Sequence, residues 1–112
     1  MRQFVIDELS PMERDNIDSW LKRNLQQGPI DGLYWLVLQE EQLDTAQQGE
    51  KHRDHGPYYM AVEVTRNDVR FELLVRSQTT LHCSCIAQAT VKQRQFMLDT
   101  IDQMLEEEMI RA

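Results

Sequence analysis

The chain has 112 residues and a net charge of −7, with 41% hydrophobic and 28% charged side chains. That length holds one domain with one hydrophobic core, so residues 1–112 read as a single α+β unit. The acidic balance argues against nucleic acid, whose binding relies on clustered Lys and Arg, and against an anionic membrane surface.

The opening Met1-Arg2-Gln3-Phe4-Val5-Ile6-Asp7-Glu8 turns acidic before a signal-like apolar stretch develops, which gives the expectation of a cytoplasmic protein. Phe4-Val5-Ile6 is an edge strand or a pin for the first helix. Ser10-Pro11-Met12-Glu13 announces that helix: Ser10 caps it, Pro11 suits its first position, and Glu13 completes a capping box. Met12, Ile17, Trp20, Leu21 and Leu25 lay an apolar stripe along one side, and Gln27-Gly28-Pro29 is the expected stop.

After an Asp31-Gly32 turn, Leu33 to Leu38 is the most hydrophobic strand candidate and the longest apolar run, far short of a spanning helix. The polar stretch from Asp44 to Gly56 reads as a long loop, either mobile or functional. Met60, Val62 and Val64 alternate with polar or small residues, as do Val69, Phe71, Leu73 and Val75. A two-residue Asn67-Asp68 turn then pairs Val64 with Phe71, Val62 with Leu73 and Met60 with Val75, and sets Glu63 opposite Glu72. Leu81, Cys83, Cys85 and Ala87 continue the inner face as a fourth strand. Thr90-Val91-Lys92-Gln93 opens a last helix with a second capping box, and Met97, Leu98, Ile101, Leu105 and Met109 form its apolar side. The order is α-β-β-β-β-α, an antiparallel meander packed by N- and C-terminal helices.

Two helices on one face of such a sheet leave Tyr59, Ala61, Leu74 and Ile86 on the other, among Glu63, Arg70, Glu72, Arg76 and His82. This mixture is too apolar for an indifferent surface and too charged for a core. Tyr59, Ala61, Leu74, Arg76 and Ile86 are therefore the expected partner-binding residues, serving a protein partner or self-association in an adaptor- or chaperone-like domain. His52, Arg53, His55 and Tyr58 are the candidate recognition residues of the long loop.

The alternative is a metal site. His52 and His55 have the gap of many metal-binding pairs, and Cys83 and Cys85 add two sulfurs. The strand reading opposes it: residues two apart on a strand stand about 7 Å apart, whereas tetrahedral zinc holds its sulfurs about 3.7 Å apart. Only a broken strand end brings them together. Buried strand cysteines behave instead as small hydrophobes, and Cys85 lacks any surrounding nucleophile motif. No catalytic residue and no cofactor is expected, the metal site standing only as the alternative.

Overall fold

The computed structural model describes residues 2–112, and its side-chain description omits Lys51 and Arg53. The chain runs β1 (Gln3–Ile6), α1 (Pro11–Asn24), β2 (Gln26–Gln27), β3 (Leu33–Val37), a 3-10 turn (Glu40–Gln42), α2 (Thr45–Gln48) and a 3-10 helix (Glu50–His55). It continues through β4 (Tyr58–Val64), β5 (Val69–Glu72), β6 (Leu74–Ser77), β7 (Ala87–Gln88) and α3 (Val91–Glu107). This is the α+β fold expected, with terminal helices flanking an antiparallel sheet of seven strands rather than four.

Both long helices begin as their sequences dictate. Ser10 accepts from the Glu13 amide while Glu13 accepts from Ser10, and Thr90 and Gln93 repeat the exchange on α3. Two otherwise orphaned donors are satisfied at each N-terminus. The end of α1 departs from expectation. The helix stops at Asn24 rather than at Gly28, because Leu25 turns extended and Gln26–Gln27 pair with β3 as a short edge strand.

The sheet order is β1-β5-β4-β3-β2, with β6 continuing along β4 and carrying β7 on its other side. Ile17, Trp20 and Leu21 of α1 and Met97, Ile101 and Met104 of α3 form one buried cluster with Tyr34, Met60, Val62, Val69 and Phe71 of the sheet. Both helices therefore pack on the same sheet face. The acidic end of α3, which opposes the helix dipole, is bound by α1. The Trp20 indole N–H donates to Glu107 at 3.0 Å and Arg23 lies 4.0 Å from Glu108.

The hairpin register is corrected by two residues. Val64 pairs with Val69, Glu63 with Arg70 and Val62 with Phe71, so Glu63 faces an arginine and not Glu72. The connection is four residues long, closed by the Thr65 N–H donating to the Asp68 carbonyl at 2.9 Å. Further along, Tyr58 faces Ser77 and Tyr59 faces Arg76, which is the expected register. The two-residue difference is absorbed between the Val62–Phe71 and Tyr59–Arg76 pairs, where two residues of β4 face residues 72–75, after which β6 takes up β7. Alternation excludes a slip of one residue, which swaps faces, but is blind to a slip of two.

Candidate metal centre

Two segments expected to be a loop and a strand are neither. Within the polar stretch, Asp44 caps α2 by a third capping box, with Gln47 as its partner, and Glu50–His55 follow as a 3-10 helix. The strand expected over Leu81–Ala87 is present only at Ala87–Gln88; ahead of it the chain makes a tight turn closed by the Ile86 N–H donating to the Cys83 carbonyl at 3.0 Å.

These two departures remove the geometric objection to a metal site. A 3-10 helix has three residues per turn, so side chains at i and i+3 stand in line. The Nδ1 atoms of His52 and His55 are accordingly 3.3 Å apart. The turn folds Cys83 and Cys85 toward the same point, with Cys83 Sγ 3.1 Å from His52 Nδ1 and Cys85 Sγ 3.4 Å from His55 Nδ1. All four donor atoms lie within 4.8 Å of one another. Tetrahedral zinc, with bonds of about 2.0–2.1 Å to nitrogen and 2.3 Å to sulfur, requires edges of about 3.3–3.8 Å. The donor set is nearly contracted to that size.

The supporting contacts are specific. Tyr58 is buried, and its hydroxyl donates to the His52 carbonyl at 2.9 Å, so it braces the 3-10 helix. The Ser77 hydroxyl donates to the His55 carbonyl and accepts from the Thr79 and Thr80 amides at 3.1 and 3.0 Å, tying the end of β6 to the histidine pair. On the other side Gln47, 2% exposed, donates to the Cys85 carbonyl at 3.0 Å and accepts from Gln93 of α3 at the same distance. Gln93 in turn donates to the Gln42 carbonyl. The cysteine turn is thus fixed to the start of α3 by buried, satisfied amides.

The two thiols differ. Hydrogen bonds from the Cys85 thiol and backbone N–H draw the Cys83 pKa down, while burial pushes that of Cys85 up. The amide contact to Cys83 Sγ measures 3.4 Å. Burial, and then the neighbouring Cys85, raise the Tyr58 phenol.

Of the recognition residues expected in the long loop, His52 and His55 belong to this cluster, Tyr58 lies beneath it, and the Arg53 side chain lies outside the described residues. Gln47 and Ser77 were not singled out by sequence, and Gln93 only as a helix cap. The Asp44-x-x-Gln47 spacing repeats that of the other two capping boxes and carries the signal for α2.

The expected partner-binding residues fall elsewhere. Tyr59, Leu74 and Arg76 are half-buried on the sheet face opposite the helices, and Ala61, 8% exposed, lies among them. Tyr59 stacks on Trp35 with ring centroids 4.3 Å apart. Ile86 does not join this face: it lies in the cysteine turn, out of the sheet, and packs against the core.

The class that fold and site define is a small α+β domain with a candidate four-ligand metal knuckle at one end of its sheet. The chain matches no known family model, no curated protein and no solved structure. No helix among the described residues is long and apolar enough to cross a membrane.

Proposed function

We propose that this protein binds one zinc ion through His52, His55, Cys83 and Cys85, and that the ion serves as a structural staple. The convergence of two imidazole nitrogens and two sulfurs within 4.8 Å carries this reading. Soft sulfur with imidazole in a tetrahedral arrangement selects zinc over hard cations such as magnesium or calcium. Four protein ligands fill the coordination sphere and leave no position for water or substrate, which favours a structural role over a catalytic one. The ion joins a segment before β4, bonded by Gln47 and the His52 and His55 carbonyls, to a turn after β6 whose Cys85 and Ile86 reach the core. Protein purified without a histidine tag carries about one equivalent of zinc, and cobalt substitution gives tetrahedral visible bands with thiolate charge transfer. Less than about a tenth of an equivalent of any transition metal after zinc supplementation overturns the reading.

A second reading concerns the open sheet face. Its apolar centre of Trp35, Val37, Tyr59 and Ala61 is rimmed by Glu63, Glu72, Arg70 and Arg76, two acids and two bases, on a chain whose net charge is −7. A second copy is the occupant this face suits, since opposite charges can meet across a two-fold axis while the rest of the surface repels. Sedimentation at micromolar concentration then shows a dimer that Tyr59→Glu converts to a monomer. A wild-type monomer throughout that range overturns it.

A further inference from the structure

The end of the sheet opposite β2 carries an open edge. β1 pairs with β5 on one side only. The Leu73 N–H donates to the Arg2 carbonyl at 3.0 Å, which makes Phe4–Phe71 and Ile6–Val69 the hydrogen-bonded pairs of that ladder. Gln3 and Val5 therefore direct their N–H and C=O groups away from β5, toward the open side. Phe4 and Val5 are each 40% exposed, an apolar pair on an edge that most proteins blunt with charge or proline.

This edge borders a groove of about 390 Å³. Phe4, Val5 and Ile6 form one wall, so residues from both faces of β1 reach it, as a channel along an edge requires. Leu98, Ile101 and Leu105 of α3 form the other wall, spaced three and four apart along one side of the helix. Charge surrounds the apolar floor unevenly. Asp7, Glu8, Glu13 and Asp102 line the groove, against one base, Arg111, among the described residues.

We propose that this groove is a docking site for an extended, basic segment of a partner protein, which adds as a strand beside β1. Main-chain hydrogen bonds to Gln3 and Val5 supply the pairing, and alternate apolar side chains of the segment enter between β1 and the Leu98–Ile101–Leu105 stripe. Its Lys or Arg side chains alternate onto the other face of the added strand and reach back by their long stems to the carboxylates at the groove's rim. The same carboxylates disfavour a second copy of this chain, which would bring an identical acidic rim. The site is separate from the metal cluster and does not depend on it.

The test uses the full chain and a fluorescein-labelled heptapeptide alternating lysine with valine, followed by polarisation. Saturable binding is expected, with a loss of about tenfold or more for the matching glutamate–valine peptide. Val5→Pro removes an outward N–H while leaving the β5 ladder intact, and weakens binding about tenfold. Asp102→Lys, at an exposed position, weakens it about threefold. If Val5→Pro perturbs folding by circular dichroism, a lysine–valine peptide N-methylated at alternate amides makes the same test from the ligand side. Equal binding of the two peptide charges overturns the proposal, as does indifference to Val5→Pro, to N-methylation or to Asp102→Lys. Self-association abolished by Val5→Pro, with no peptide binding, assigns the edge to a second copy and also overturns it.

Discussion

At the helical face, Ile17, Leu21, Phe71, Met97 and Met104 are all at most 1% exposed and interlock in one apolar cluster. At the far end of β4 and β6, Gln47 to Cys85, Thr79 to Asp54 and the four candidate ligands join residues 44–56 to the 78–86 turn, while Tyr58 and Ser77 bond the carbonyls of His52 and His55 from the sheet. The first region is held by area removed from water, which is insensitive to the direction of any one bond. The second adds to a smaller apolar share, from Tyr58, Cys85 and Ile86, a set of directed polar contacts, each of which fails when a single partner goes. An apolar core specifies that elements come together, while a polar knuckle specifies which atoms meet.

The largest expected effect lies in the first region. Phe71→Ala should cost about 3–5 kcal/mol, since it opens a cavity between both helices and the sheet. Urea unfolding followed by fluorescence and by circular dichroism should shift together. A loss confined to one probe would show that the core is not a single cooperative unit.

Chelation should act locally. With zinc withdrawn, amide exchange across residues 45–55 and 83–86 should accelerate roughly tenfold or more, while α1, α3 and the centre of the sheet keep their protection. Uniform acceleration would place the ion's contribution in the global fold. No change at all would sever the comparison and with it the structural role of the metal.

Gln47→Leu tests the joint between the two regions. It removes the donor to the Cys85 carbonyl and the acceptor for Gln93. The expected cost is about 1–3 kcal/mol, because those buried groups are left unpaired. Zinc affinity should fall with it, read by competition with a chromophoric chelator. Unchanged affinity would show that the turn holds its shape without this contact.

The smallest effect belongs to Tyr34, whose hydroxyl donates to Asp18 at 2.6 Å. Burial, and then Asp18, push its pKa from 10.0 up to about 12. The folded chain thus holds that proton more tightly than the unfolded chain. Its contribution is complete below pH 10 and is lost as pH rises from 10 toward 12. Tyr34→Phe should lose about 1 kcal/mol at neutral pH, as half-buried Asp18 regains water, and should show a shallower alkaline decline in thermal scans, since Tyr58 and Tyr59 are also raised.

Much of the scaffold was legible from neighbours in the chain. Ser10-x-x-Glu13 and Thr90-x-x-Gln93 predict their caps because a capping box is closed within four residues. The alternation from Met60 to Val64 and from Val69 to Phe71 predicts strands because the pleat has a period of two. That period also explains the register error, since a shift by two leaves every side chain on its face. The four-residue turn is closed by Thr65 and Asp68, and in the offset between β5 and β6 Leu73 donates to Arg2 and accepts from Ala89, pairings that alternation does not encode.

The candidate metal cluster divides between the two sources. Residue types and the His-x-x-His and Cys-x-Cys spacings stand in the sequence, and they name the chemistry. Whether the cysteines lie on a strand, with sulfurs too far apart, or in a turn that joins them, is settled by contacts of high sequence separation. Gln47 reaches Cys85 across 38 residues, and Ser77 reaches His55 across 22. Local propensity carries no information about such pairs, because each forms only after the sheet has brought both segments to the same end of β4.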